Sequence, residues 1–370
     1  LQLPPMRRIW RRALESVTPY EAGKSLEALS QELGLPSIVR LSSNENPLGP
    51  SPLVIEALRQ EAARAHLYPD GGSTRLREAL GSWLGVPPDW LMAGNGGDEL
   101  LGLIARAAFE PGDEILMPKP AFEPYGIEAR LSGATPVEVP LRGYDTDLDA
   151  MLERVGPKTK AIFLCTPHNP ATTIIRSGPL DQFLEKLGDD SPLVILDEAY
   201  RDFSDDPETP DGVALARRWP RLIALRTFSK IAALAGLRVG YLVGSPENMG
   251  WLNRVRAPFN VNRFAQVAAV AALEDRAHLE RTRALVLAER PRLLAEFARR
   301  GCPAPPSQAN FLLPKVGAQS RELAAALLKA GILVRDGGAV GFPGHLRITI
   351  GRPEDNTRLL EVLDRTLSVP

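Results

Sequence analysis

Thr227-Phe-Ser-Lys-Ile-Ala-Ala-Leu-Ala-Gly-Leu-Arg-Val-Gly-Tyr241 is the stretch that decides how this 370-residue chain is read. An apolar run, Leu222-Ile-Ala-Leu225, leads into it, and another, Val239-Gly-Tyr-Leu-Val243, leaves it. Both read as strands, the first ending at Arg226. Ser229 and Lys230 follow that strand end at once. Ligands of α/β folds sit at strand C-termini. A lysine buried there loses its charge and becomes a nucleophilic amine. Arg238 comes eight residues later, between Gly236 and Gly240. An isolated Ser-Lys pair and a loop arginine read as solvated surface, so the weight falls on the neighbouring segments.

Working outward, Ala161-Ile-Phe-Leu-Cys165 and Leu193-Val-Ile-Leu196 are further short apolar runs, with a helical stretch from Pro179 to Leu187 between them. Continuous apolar strands alternating with helices predict an α/β fold, a mostly parallel sheet covered by helices on both faces. The last third differs. Residues 263–300 are rich in Ala, Leu, Arg and Glu and read as long helices, and Gly301-Cys-Pro-Ala-Pro-Pro306 breaks them. Asn310–Pro314 and Leu346–Ile350 then read as strands flanking a helix from Arg321 to Ala330, an α+β pattern. The expected division is an N-terminal arm with part of a small domain (1–50), a large domain (51–262) and a small C-terminal domain (263–370). The Pro-rich first fifty residues read as an arm lying on another surface.

Composition excludes several classes. The 44 Lys+Arg and 45 Asp+Glu nearly cancel, to a net charge of −1, which argues against electrostatic nucleic-acid binding and a polybasic membrane anchor. No apolar run has the ~20 residues of a membrane span. Arg7, Arg8, Arg11 and Arg12 precede no apolar core of a secretory signal. Cys165 and Cys302 make neither a disulfide framework nor a Cys-rich zinc site, and the four histidines lack metal-ligand spacing. A cytoplasmic location without a metal is therefore expected.

Three more segments carry chemistry. Leu193-Val-Ile-Leu-Asp-Glu-Ala-Tyr200 ends a buried strand on Asp197. Its Asp-Glu pair invites a Walker-B reading, which fails because the chain has no G-x-x-x-x-G-K-[ST]. Cys165-Thr-Pro-His-Asn-Pro170 ends another strand; Asn169 reads as a turn residue, and the lone His168 as structural rather than catalytic. In Leu91-Met-Ala-Gly-Asn-Gly-Gly-Asp-Glu-Leu100 a glycine turn feeds a helix with apolar residues at Leu100, Leu103, Ile104, Ala107 and Ala108. Its free N–H groups and positive dipole end make an anion cradle. It is not a dinucleotide fingerprint, because Glu99 stands where the third glycine belongs.

Taken in this order, the segments resemble the pyridoxal-phosphate-dependent aminotransferases of fold type I. Within them, the resemblance to the histidinol-phosphate aminotransferases runs nearly end to end. It is carried by Ser43-Asn-Glu-Asn-Pro-Leu-Gly-Pro-Ser-Pro52, Tyr68-Pro-Asp70, Gly94-Asn-Gly-Gly-Asp-Glu99, Pro111-Gly-Asp113, Asn169-Pro170, Asp197-Glu-Ala-Tyr200, Ser229-Lys230, Leu234–Tyr241 and Leu346-Arg-Ile-Thr-Ile-Gly351. The resemblance implies that Lys230 bonds the cofactor aldehyde and later shuttles the substrate proton. It implies that Asp197 faces the pyridine nitrogen, and that Asn169 and Tyr200 bind the ring oxygen. Phosphate would sit on Gly96, Gly97 and Asp98, with Ser229 and Arg238. Tyr68 would reach the cofactor phosphate of a second subunit, making a homodimer with shared sites. Arg347 would hold the α-carboxylate of glutamate and Arg335 a substrate phosphate, while Tyr20 and Asn44 would line the substrate side. Where the family commonly has a stacking tyrosine, Pro120-Ala-Phe-Glu-Pro-Tyr125 offers Phe122. Where it reads N-N-P-T-G, this chain has His168-Asn-Pro-Ala-Thr172.

The implied reaction is transamination between L-histidinol phosphate and 2-oxoglutarate, in histidine biosynthesis. An aromatic amino-acid aminotransferase and a threonine-phosphate decarboxylase-like lyase share the cofactor motifs and stay open as alternatives.

Overall fold

The computed structural model describes residues 9–17, 25–188 and 190–367. Among the described residues, twelve strands form three sheets. Strand β1 is Val39–Arg40; β2 is Leu91–Gly94, β3 Glu114–Lys119, β4 Thr135–Pro140, β5 Thr159–Cys165, β6 Leu193–Asp197, β7 Leu222–Thr227 and β8 Gly240–Val243. Then come β9 (Phe311–Leu312), β10 (Ile332–Leu333), β11 (Arg335–Asp336) and β12 (Leu346–Thr349).

The large sheet has the order β2-β8-β7-β6-β5-β3-β4. Pairing is parallel from β7 through β6, β5 and β3 to β4, and β8 runs antiparallel to both of its neighbours. The C-terminal ends of β2, β5, β6 and β7 therefore share one edge, and β8 begins there. Successive residues of these strands enter opposite layers. Ala161 and Phe163 join the core beneath helices Gly96–Ala108 and Glu123–Ser132, whereas Ile162 and Leu164 join the core beneath Ser177–Leu187 and Gly212–Arg218. Burial on both faces is why these strands are uniformly apolar.

The smaller sheet is antiparallel, in the order β11-β12-β9. It shares a core with helices Arg276–Arg299 and Pro353–Leu367. Near the N-terminus the structure holds more than an extended arm. Helix Leu26–Leu33 is capped by Ser25, whose Oγ accepts from Ala28 N, and is ended by Gly34 in the left-handed region at φ 65°. It buries no residue fully, although Leu26, Leu29 and Leu33 line one face. Strand β1 pairs with β10. The residues 310–314 contract to the two-residue β9. The apolar face expected on Gly96–Ala108 is also broader than read: Leu101 and Ala105 are buried and Ala107 is exposed, because a sheet and a second helix pack on this helix together.

One buried ion pair ties β6 to β7. Glu198 Oε2 accepts from Arg226 Nε at 2.8 Å, and Oε1 accepts from Gly212 N at 2.9 Å. Arg226 Nη2 also donates to Asp211 at 3.0 Å. Glu198 Oε1 also lies 3.3 Å from Arg201 Nε, so losing Arg226 removes one of two cations that face a buried carboxylate. Arg226→Met is expected to cost less than the ~3–5 kcal/mol of a fully stranded charge in urea unfolding, with part of the loss recovered in the Glu198→Gln/Arg226→Met double variant.

Candidate active site

The common edge of the large sheet collects most of the expected site residues. Lys230 lies three residues beyond β7, and its Nζ donates to Ser43 O at 3.1 Å and sits 5.6 Å from the Tyr200 ring centre. Burial, with help from the Arg347 and Arg238 charges, pushes its amine down to about 8. Ser43 belongs to the segment after β1, which the small sheet carries.

Asp197 closes β6, opposite Cys165 on β5 and Leu225 on β7. Its Oδ1 accepts from Ala199 N at 3.0 Å, and its Oδ2 accepts from Tyr125 Oη at 2.5 Å. Burial pushes the carboxyl up to about 6, and these two donors oppose it. Tyr200 Oη accepts from Asn44 Nδ2 at 3.1 Å, and burial pushes its phenol up to about 12. Asn44, at φ 55°, is itself pinned: its N donates to Thr349 Oγ1 at 2.9 Å and its carbonyl accepts from Asn310 Nδ2 at 3.1 Å.

Arg347 projects from β12. Its Nη1 donates to Asn169 Oδ1 at 3.0 Å and its Nη2 to Ser42 O at 2.8 Å, while its buried Nε has no protein partner. The register places Arg335 directly opposite it on β11. Burial lowers the Arg347 pKa first, and the Arg335 charge adds to the effect.

The glycine turn forms the opposite wall. Gly96 opens helix Gly96–Ala108 at φ 82°, and a Cβ there would lie 2.5 Å from the Arg238 guanidinium. The positive φ favours glycine, and a side chain there would displace the guanidinium from the turn. Arg238 Nη2 donates to Asp98 Oδ2 at 3.0 Å. The start of β8 lies against Gly96 and Gly97, where a Cβ on Gly240 would stand 3.4 Å from their backbone. Phe228 N donates to Val239 O, which carries Ser229 to the same place. Phe122 caps helix Glu123–Ser132, edge-on to Tyr125.

One expected residue stands apart. Tyr68 is 79% exposed and stacks on Phe259 at 4.8 Å rather than entering the site of its own chain. Tyr20 lies outside the described residues. His168 is a turn residue: its Nδ1 accepts from Ala171 N, and burial pushes it down to about 4, so it is neutral. Tyr125, Thr349 and Asn310 were not singled out by sequence. Only the small Gly126 and Ala129 beside a buried Tyr125 hinted at the inward face of that helix.

The donor set fits pyridoxal phosphate. An amine of lowered pKa, a buried carboxylate and an N–H cradle with an arginine share one edge. Because Arg347 occupies Asn169 Oδ1, the Asn169 amide N–H groups are left for a ligand. Because Asn44 donates to Tyr200, the Tyr200 O–H is likewise left to donate. Among the described residues no group of three or more His, Cys, Asp or Glu is arranged to hold a metal.

Comparison with known proteins agrees with this geometry. The family model for aminotransferase class I and II matches residues 36–363. The histidinol-phosphate aminotransferase of Symbiobacterium thermophilum is 44% identical over 357 residues, covering 96% of this chain and 98% of that one. The crystal structure of histidinol-phosphate aminotransferase from Sinorhizobium meliloti in complex with pyridoxal 5′-phosphate superposes with a TM-score of 0.88 at 27% identity, over 97% of both chains. An aspartate aminotransferase from Thermus thermophilus with maleate shares the fold at a TM-score of 0.82 and 24% identity, covering 97% of this chain and 100% of that one.

The depressed Lys230 pKa means that folding carries a cost for burying a charged amine. That cost is full below about 8 and vanishes as pH rises toward the ordinary lysine value of about 10.4. Apo Lys230→Met is expected to melt above the apo wild type at pH 7, and the gap should close between those two pH values in calorimetry.

Proposed function

We infer that this chain, which belongs to the class I and II aminotransferases and within them to the histidinol-phosphate aminotransferases, catalyses amino-group transfer from L-histidinol phosphate to 2-oxoglutarate, a step of histidine biosynthesis. The observation that carries this reading is the gathering of Lys230, Asp197, Arg238 and Arg347 at one sheet edge in a chain so similar to those relatives.

When bound, pyridoxal phosphate supplies an electrophilic aldehyde and a ring that withdraws electrons from the substrate Cα. In this reading the chain's residues do the rest. Lys230 Nζ would hold the aldehyde carbon and, once free, would move the proton at the substrate Cα. Its lowered pKa suits both tasks, because a neutral amine is nucleophile and base. Asp197 would keep the ring nitrogen protonated. Asn169 and Tyr200 would donate to the ring oxygen. The N–H groups of Gly96, Gly97 and Asp98, with Ser229 and the Arg238 fork, would hold the cofactor phosphate. Phe122 would pack on the ring.

The two substrates share no α-carboxylate, since histidinol phosphate carries a phosphorylated hydroxymethyl group there. Arg347 and Arg335 lie side by side, and a paired guanidinium surface suits both anions: the glutamate carboxylate on Arg347 and the substrate phosphate spanning both. Asn44 borders the same space.

The reading extends to a two-fold homodimer in the cytosol. Its support is the exposed Tyr68–Phe259 stack, suited to entering a second subunit's site. No helix among the described residues is long and apolar enough to cross a membrane. The division near residues 50 and 262 belongs to the same reading, because the large sheet lies between 91 and 243 and the small antiparallel one between 311 and 349.

The deciding test follows the visible band of the bound cofactor as each amine is added to the holoenzyme. L-histidinol phosphate is expected to bleach it fast, and L-phenylalanine and L-threonine phosphate slowly. Preference for phenylalanine would establish an aromatic aminotransferase, and carbon dioxide release from threonine phosphate a lyase. Lys230→Ala should fold, bind cofactor and fail to turn over. Asp197→Ala should lower kcat by about a thousandfold with little change in melting temperature, and an unchanged rate would remove Asp197 from its role.

A further inference from the structure

We propose that Tyr125 is a positioning residue for the reaction, whose phenol acts through Asp197 to keep their shared proton on the ring nitrogen of the cofactor. This rests on the reading that Asp197 faces that nitrogen.

Tyr125 is wholly enclosed. Its ring stacks on Phe163 with centres 4.5 Å apart and planes within 1°, and Phe122 meets it edge-on at 5.7 Å. The phenol therefore cannot swing, and its Oη reaches Asp197 Oδ2 at 2.5 Å. Burial and the Asp197 charge together raise its pKa well above the ordinary value, so it remains a donor.

A carboxylate paired with a ring nitrogen has two forms, an anion beside a protonated ring or a neutral acid beside a neutral ring. Removal of water favours the neutral pair, because two charges are then avoided. The negative Glu198 and Asp98 push Asp197 the same way. Cys165, opposite it on β5, and Tyr200 are both held neutral by burial and add no compensating positive charge. On β7 its partner is the apolar Leu225. What opposes the neutral pair is hydrogen bonding to the anion, from Ala199 N at Oδ1 and Tyr125 Oη at Oδ2. Charge-assisted bonds favour the charged acceptor. The Ala199 donor is backbone, so Tyr125 is the one that a side chain controls. A donor that weakens Asp197 as a base thus leaves the ring more protonated, not less.

The test uses holoenzyme loaded with pyridoxal phosphate labelled with 15N in the ring. Its chemical shift at pH values where the pair still holds its shared proton gives the share of that proton carried by the nitrogen. Tyr125→Phe keeps the stacked ring and is expected to move this shift toward the neutral-ring position. 3-Fluorotyrosine in place of Tyr125, a more acidic donor of nearly the same size, should move it toward the protonated position. Asp197→Asn should move the resonance to the neutral position, and Tyr125→Phe should add nothing in that background. If Tyr125→Phe leaves the shift unchanged while Asp197→Asn moves it, Tyr125 is packing only and the proposal fails. A further shift on adding Tyr125→Phe to Asp197→Asn would also overturn it, because the phenol would then act by another route. If Asp197→Asn itself changes nothing, the placement of Asp197 is what fails. Should Tyr125→Phe not fold, equal shifts for wild type and the fluorotyrosine protein would overturn the proposal.

Discussion

A carboxylate with almost no water around it, Asp197 at the end of β6, constrains this whole edge of the sheet. A buried anion is tolerated only where donors and a counter-charge meet it. Tyr125 and Ala199 supply the donors. Nearby positive charge is concentrated on Lys230, Arg238, Arg335 and Arg347, partly balanced by Asp98 and Glu45. The result is a pocket edge where a buried carboxylate faces a set of cations, most of them on the arginine side. Such a field favours a ligand that carries anionic groups at its ends and a positive charge in its middle.

The second organising feature is Asn44. Its backbone binds Thr349 and Asn310 of the small sheet region, and its side chain binds Tyr200 of the large one. Beside it, Ser42 and Ser43 accept from Arg347 and Lys230. One short segment near the N-terminus thus touches the amine of Lys230, the phenol of Tyr200 and the guanidinium of Arg347. These three groups are consequently set by one piece of chain, which also carries β1 into its pairing with β10.

Much of this was legible from residue types. The apolar runs ending in Cys165, Asp197 and Thr227 are continuous because burial on both faces demands it, so the parallel sheet and its functional edge could be read directly. The glycine at 96 announced a left-handed turn at a helix start. Other parts were illegible for physical reasons. Helix Leu26–Leu33 carries only one short apolar stripe, Leu26, Leu29 and Leu33, inside a Pro-rich, weakly packed stretch, and it buries no residue fully. Tyr125 sits one turn into a short helix, and nothing local distinguishes a phenol aimed at Asp197 from one packed in a core. Asn310 and Thr349 are ordinary polar residues until the small sheet brings them to Asn44.

What the sequence by itself determined was the class of fold and the chemical inventory: a lysine after a strand, a carboxylate ending another, a glycine turn opening a helix. These are local properties, set by hydrophobic patterning and by backbone conformations that only certain residues adopt. Tertiary structure alone decided which groups share a hydrogen bond or a field. Lys230 is lowered toward neutrality by burial and by Arg347, more than a hundred residues away. Asp197 is held by a tyrosine 72 positions earlier. Desolvation and electrostatics depend on distance in space, and that distance exists only once the strands have been laid side by side.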